Sequence, residues 1–257
     1  MYEKLFDLTG RVALVTGGSK GIGKAIARAL AERGAQVAIA ARHADELRGA
    51  AAEIAAGLPV KVDYRVTDMS QRQDTDELAR WALEQFGRVD ILFNNAGSNQ
   101  PQPLVSATDD SWDHILELNL TSCMRLARAL VPGMIERRWG RIIHLSSVMA
   151  LASNPGRGSY SATKAALIGM TRAHALELGP VGITVNCLAP GPVATDLPMN
   201  LLTPDQKKKF AELTAVKRWG ETVDMVGPAL MLASDAGAFI TGNVIVADGG
   251  MLCRTFD

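Results

Sequence analysis

The chain has 257 residues, 47% of them hydrophobic, and its 27 Lys+Arg balance 27 Asp+Glu. That size and apolar share fit one α/β domain spanning 1–257 with a sizeable core, and the charge balance points neither to nucleic acid nor to a membrane. Cys123, Cys187 and Cys253 are too scattered for a disulfide framework or a metal cluster, and no stretch approaches about 18 uninterrupted apolar residues, so a soluble, cytoplasmic protein with reduced thiols and no metal is expected.

In chain order, Arg11 to Thr16 is a short β-branched run that stops at glycines and reads as a buried strand. The turn T-G-G-S-K-G-I-G follows from Thr16, then an amphipathic helix ending at Gly34. A dinucleotide-binding turn needs this context: glycines let the backbone approach a pyrophosphate, and the helix N-terminus offers unpaired N–H donors and a positive dipole end. The spacing, Gly17-x-x-x-Gly21-x-Gly23, departs from the common G-x-G-x-x-G. Such turns also occur simply as tight strand-to-helix corners.

Gln36 to Ala41 is expected as a second strand, with a helix from about Asp45 to Ala56. Val60 to Val66 alternates as a third strand before a helix from about Ser70 to Phe86. Val89 to Asn94 is the fourth strand and runs into Asn95, Ala96 and Gly97. A polar loop, S-N-Q-P-Q-P, precedes one helix near Asp109 to Val131, and Arg141 to Leu145 is the fifth strand. A helix carrying Tyr160 and Lys164 comes next, then a sixth strand from Ile183 to Leu188. Periodicity is lost over about 193–215 and returns in a helix near Thr222 to Ala233 and a seventh strand from Asn243 to Ala247. Alternating strands and helices predict a single doubly wound α/β domain, a seven-stranded parallel sheet with helices on both faces.

Tyr160 and Lys164 are four residues apart in a helical pattern and should share one face. At roughly 5 Å and an effective dielectric of about 20, a positive charge stabilises a neighbouring phenolate by about 3 kcal/mol. That suits a phenol to proton transfer near neutral pH. A solvated surface pair has the same spacing.

Taken together, Thr16 in T-G-x-x-x-G-x-G, Asn94-Asn95-Ala96-Gly97, Tyr160-x-x-x-Lys164, Pro190-Gly191 and Asp248-Gly249-Gly250 resemble the extended motif set of the short-chain dehydrogenase/reductase family. The resemblance covers nearly the whole chain and implies a Rossmann fold and hydride transfer between a secondary alcohol or ketone and a nicotinamide. It adds two positions to the tyrosine and lysine: a serine thirteen residues before Tyr160, which selects Ser147 over Ser146, and Asn119 in E-L-N-L. In these roles Tyr160 is the general acid or base and Ser147 polarises the carbonyl. Lys164 holds the nicotinamide ribose, and Asn119 holds a water leading to solvent. Asn119 is also disfavoured inside a helix without a reason.

The resemblance further implies cofactor contacts from Gly17, Ser19, Lys20, Gly21, Ile22, Gly23, Arg42, Asn95, Ala96, Gly97, Pro190, Gly191, Val193 and Thr195. It places Asp68 at the adenine ring, although Asp68 is also placed to cap the following helix. Thr195 has the same two readings. NADP(H) is expected over NAD(H): no carboxylate closes the second strand, where an acid would repel a 2′-phosphate, while Arg42 and Lys20 can pair with one. Asp45 and Glu46 read as acids at a helix start. His43, His114, His144 and His174 are too dispersed for metal ligation, and Trp112, Trp139 and Trp219 too scattered for a stacking platform.

The substrate is expected to be a 3-oxoacyl thioester or a sugar acid or polyol, since the sequence is similar to the 3-oxoacyl-carrier-protein reductase and gluconate 5-dehydrogenase branches. Specificity should lie in 193–215, with Met199, Leu201 and Leu202 as an apolar wall, and in the loop from Met149 to Gly158, where Arg157 either meets an anion or is solvated. A catalytically silent nucleotide-binding or sensor protein on the same fold is the competing reading. The intact set Asn119, Ser147, Tyr160 and Lys164 argues against it. A stripe of small residues, Ala162, Ala166, Gly169 and Ala173, suggests close helix packing between subunits, and Ala165, Leu167, Ile168 and Leu176 would then face the sheet. With the family's habit, this predicts a homotetramer.

Overall fold

The expected alternation of strands and helices is realised in a computed structural model that describes residues 2–253, the side chains of Glu3, Leu197, Pro198 and Leu201 aside. The strands are β1 (Val12–Thr16), β2 (Gln36–Ala41), β3 (Val62–Val66), β4 (Ile91–Asn94), β5 (Gly140–Leu145), β6 (Ile183–Pro190) and β7 (Val244–Ala247). They form one seven-stranded sheet in the order β3-β2-β1-β4-β5-β6-β7, every pair parallel. The order reverses between β1 and β4, which opens a crevice at their carboxyl ends.

Alternation along each strand sends side chains to two layers. Ala13, Val15, Ile39 and Phe93 pack on one face with Ile26, Leu30, Leu47, Ile54 and Leu232. Those residues come from α1 (Gly21–Glu32), α2 (Ala44–Ala55) and a late helix, Val226–Ala233. Leu14, Leu92 and Ile142 face the opposite way, toward Leu78, Ala82, Leu126, Leu130 and Ala175. Each large apolar side chain buried this way stabilises by about 1.5–3 kcal/mol. The edge where β1 meets β4 is tied by Asp90, fully buried, which accepts from Val12 N at 3.0 Å and pairs with Arg88 and Arg137.

After α3 (Arg72–Phe86), the helix expected over 109–131 is broken in its hydrogen bonding. It comprises α4 (Asp109–Leu116), a π-helical turn (Glu117–Thr121) and α5 (Ser122–Arg137). The segment over 193–215, expected to be irregular, contains α7 (Asp196–Leu201) and α8 (Pro204–Leu213), which follow α6 (Gly158–Leu178) in the chain. No residue of α8 is buried, so it lacks the apolar stripe that would betray it, and it is held instead by a capping box between Thr203 and Gln206. The helix Val226–Ala233 is α9, preceded by a 3₁₀ turn over Thr222–Met225.

On α6 the buried face is Thr163, Lys164, Leu167, Ile168, Thr171 and Ala175. Leu176, expected to face the sheet, is 81% exposed, and Ala165 is exposed as well. Each lies off the line set by Lys164, Leu167, Ile168, Thr171 and Ala175 around a 3.6-residue turn. Ala162, Gly169 and Ala173 are exposed, and nothing lies within 4 Å of a Cβ built at Gly169. Among the described residues no helix is long and apolar enough to cross a membrane.

Candidate active site

The crevice begins at the glycine turn. Gly17 has φ 66°, and Gly23 lies so close behind it that an added Cβ would sit 2.3 Å from Gly17 O. The turn is knitted to the end of β4 from both sides. Asn95 Nδ2 donates to Thr16 O at 2.8 Å and to Gly17 O at 3.1 Å, while Thr16 Oγ1 accepts from the backbone N–H of Asn95 and Ala96 at 3.1 and 3.0 Å. No side chain caps α1, so its first N–H groups remain free at the mouth of the crevice. A tight glycine cradle under an uncapped helix end fits a pyrophosphate.

One cleft of about 500 Å³ lies beside this turn, lined by Gly17, Ser19, Lys20, Arg42, Glu46 and the stretch from Asn95 to Ser98 among others. The exposed Arg42 guanidinium makes no hydrogen bond or ion pair among the described residues, although its charge acts on Asp68, whereas Lys20 pairs with Glu46 at 3.3 Å. Ser19 Oγ also donates to Glu46, at 3.2 Å. Partial burial pushes the Glu46 carboxyl up, but the Lys20 and Ser19 contacts outweigh it and hold the group below the usual carboxylate value. Glu46 is therefore part of the cleft rather than only an acid at a helix start, which sequence reasoning missed; an acid just beyond β2 was the available signal. Asp68 turns toward the start of α3, its Oδ1 accepting from Ser70 N at 2.9 Å and Ser70 Oγ at 2.8 Å, while its neighbours Thr67 and Met69 line the cleft.

A second cleft of about 480 Å³ holds the chemistry-bearing residues. Ser147 and Tyr160 line it with Ile22, Pro190, Gly191, Val193 and Thr195. Thr195 closes over the turn, 3.3 Å from a Cβ built at Gly21. Gly191 sits where a Cβ would meet Asp248 Cα at 2.6 Å, so the end of β6 packs tightly against the D-G-G turn after β7. The Tyr160 hydroxyl has no partner among the described residues. Lys164 is 3% exposed, and its Nζ lies 5.6 Å from the Tyr160 ring centroid and donates to Leu145 O at 2.6 Å. The pair is thus not a solvated surface pair.

Ser147 Oγ accepts from Met149 N at 3.1 Å, which leaves its O–H free to donate into the cleft. Ser146 is spent elsewhere, donating to Lys164 O at 2.9 Å, so the two serines have separate tasks. Asn119 is fully buried in the π turn. Its amide clamps both backbone atoms of Ser98, accepting from N and donating to O at 2.9 Å each, and reaches Thr163 Oγ1 at 3.2 Å. That accounts for an asparagine at a helix-interior position. A Cβ at Gly97 would fall 3.1 Å from Asn119 Oδ1 and 3.4 Å from Lys164 Nζ, so a larger residue there would crowd the Asn119 amide.

Sequence reasoning also missed Thr16 Oγ1 as the latch of the turn, and Phe210, Trp219 and Met251 as walls of the second cleft. Trp219 stacks on Phe210, ring centroids 5.5 Å apart, and not on another tryptophan. Leu202 lines that wall as expected; Met199 does not, and the Leu201 side chain lies outside the described residues. Burial drives the Cys123 and Cys187 thiols up to about 11, so neither is a thiolate nucleophile near neutral pH. No group of His, Cys, Asp and Glu among the described residues is arranged to hold a metal ion.

A family model described as enoyl-(acyl carrier protein) reductase matches residues 17–252. The chain is 39% identical over 247 residues to nodulation protein G of Rhizobium sp. (strain N33), covering 96% of this chain and 99% of that one. It is 37% identical over 246 residues to a 3-oxoacyl-[acyl-carrier-protein] reductase of Thermotoga maritima, covering 95% and 99%. Its fold superimposes with a TM-score of 0.91 on a 3-oxoacyl (acyl-carrier-protein) reductase of Agrobacterium tumefaciens C58 with NADP bound, at 32% identity and 97% coverage of each chain.

Proposed function

The chain belongs to the short-chain dehydrogenase/reductase family, a family of oxidoreductases working with a nicotinamide cofactor, and from that premise we propose that it interconverts a secondary alcohol and a ketone with NADP(H). The observation that carries this reading is the free Tyr160 hydroxyl at the wall of the second cleft, with the buried Lys164 ammonium 5.6 Å from its ring. When bound, the nicotinamide supplies or accepts the hydride. Tyr160 gives the matching proton to the carbonyl oxygen in reduction and takes it back in oxidation. Lys164, fixed by Leu145 O, stabilises the phenolate left behind and would hold the cofactor ribose. Ser147 donates its unspent O–H to the same oxygen and polarises it. Asn119 holds the loop at Ser98 against the Lys164 end of the site; Lys164 passes a proton to the phenolate and recovers one from solvent along that end.

Preference for NADP(H) is supported by the exposed Arg42, whose guanidinium makes no hydrogen bond or ion pair among the described residues, and by the absence of a carboxylate at the end of β2. Relatives named 3-oxoacyl-[acyl-carrier-protein] reductases make a 3-oxoacyl thioester one substrate range, and solved structures named gluconate dehydrogenases make a sugar acid or polyol the other. The protein is further proposed to be cytoplasmic and to work as a homotetramer, with 1–257 as one domain; Met1 and residues 254–257 lie outside the described residues. The test is a panel of 3-oxoacyl thioesters, keto sugar acids and simple ketones with NADPH, followed at the nicotinamide absorbance. Tyr160→Phe should bind NADPH nearly as wild type does yet turn over no more than a few per cent as fast. Higher turnover removes Tyr160 from its role.

A further inference from the structure

The second cleft carries a recognition element that carbonyl chemistry does not use. Leu145, Val148, Met149, Leu202, Phe210 and Trp219 make most of its wall apolar, and among the described residues lining it one side chain is charged, Arg157. Arg157 stands at the N-terminus of α6, three residues before Tyr160, and is half-buried. Its guanidinium makes no hydrogen bond or ion pair among the described residues. A guanidinium carries five donors in a rigid fork and loses free energy when drawn out of water without acceptors. Among the described residues no carboxylate lines this cleft, and the first turn of α6 holds no acid, so none of them competes for it.

Resting on the oxidoreductase reading of this site, we propose that the substrate is an amphipathic ketone or alcohol, with an apolar body in the cleft and one anionic oxyacid group paired with Arg157. The fork of the guanidinium matches a carboxylate or a phosphate. The apolar body follows from the wall, since the hydroxyls of a sugar acid would be stripped of water against Leu, Met, Phe and Trp side chains with few partners in return. Of the two substrate ranges above, this excludes the sugar acid. Arg157 here acts as a specificity determinant, setting which ketones present their carbonyl to Tyr160.

The experiment compares 9-oxodecanoate, 9-oxodecyl phosphate and neutral methyl 9-oxodecanoate as substrates with NADPH. Reduction of the methyl ester tests the oxidoreductase reading by itself. The ratio of kcat/KM between anion and ester tests Arg157, and a charge-assisted pair of this kind should favour an anion by about tenfold or more. The carboxylate and phosphate arms show which oxyacid fits. In Arg157→Gln that ratio should collapse toward one through KM, and Arg157→Lys should restore part of it. A wild-type ratio near one, or an Arg157→Gln defect equal for anion and ester, overturns the proposal while leaving ketone reduction intact. Should none of the ketones be reduced, calorimetric titration of the NADP⁺-loaded protein with decanoate and with decanol still decides it. An Arg157-dependent preference for decanoate supports the proposal, and equal binding overturns it.

Discussion

Gly23→Ala probes whether the cradle under the first helix is shaped for close backbone approach. The added methyl would lie 2.3 Å from Gly17 O, 2.9 Å from Gly17 C and 2.5 Å from Asn95 Nδ2, against ordinary contacts of 3.4–4 Å. Relief requires the start of α1 or the Gly17 carbonyl to move by roughly an ångström. The carbonyl is not free to go, because Asn95 holds both it and Thr16 O. Forcing a methyl into such a space typically costs about 1–3 kcal/mol. For a chain of this size each kcal/mol is about 2–4 °C in Tm, so Tm should fall by about 2–12 °C. The displaced N–H groups should also weaken NADPH binding by about tenfold or more, as 1 Å misplacements of binding groups commonly do. Thermal unfolding without ligand and a fluorescence titration with NADPH measure the two effects. Unchanged Tm and unchanged affinity in Gly23→Ala would show that the turn yields freely and that its glycine is incidental.

Arg42→Ala should lower the ratio of kcat/KM for NADPH over NADH by about tenfold, the loss of one charge-assisted contact. Glu46→Gln should raise that ratio by at most about fivefold, because the Glu46–Lys20 pair is exposed and screened; equal efficiency of wild type with both cofactors refutes the assignment. Stability should fall in mild acid through His144, whose value burial lowers from 6.5 to about 3. Between those values the unfolded chain binds a proton that the native state refuses, so this contribution is present above about 6.5 and lost toward 3, a loss of about 2 kcal/mol from pH 7 to pH 5. Urea unfolding at both pH values checks it, and His144→Gln with an undiminished pH dependence contradicts it. Gly169→Leu should break the proposed tetramer and reduce activity, read by light scattering and turnover; a fully active tetrameric variant would show that the exposed stripe on α6 faces no partner.

Strands were legible because a parallel sheet covered on both faces leaves near-continuous apolar runs. β6 is the instructive exception, expected to end at Leu188 but continuing through Ala189 and Pro190, paired with Val246 and Ala247. Proline reads as a strand breaker, yet at the last position of β6 it has only a carbonyl to offer and needs no N–H. The Tyr160 and Lys164 pair was legible for a different reason: its geometry is local, set by one helical turn. What escaped were contacts between residues distant in sequence. Glu46 meets Lys20 across 26 positions, and the periodicity of either helix is the same whether or not that pair forms.

The π turn at Glu117–Thr121 marks a third limit, and it bears on how the site works. An i→i+5 turn uses the same residue types as an α-turn, so composition and spacing cannot announce it. It also lifts Asn119 out of the regular helical ladder at the one place where its amide can clamp Ser98 and reach Thr163, the residue just before Lys164. The asparagine, unfavourable in a helix interior by propensity, and the irregular turn therefore account for each other. Both position the loop after β4 against the lysine, so the backbone irregularity belongs to the site and is not an accident of a long helix.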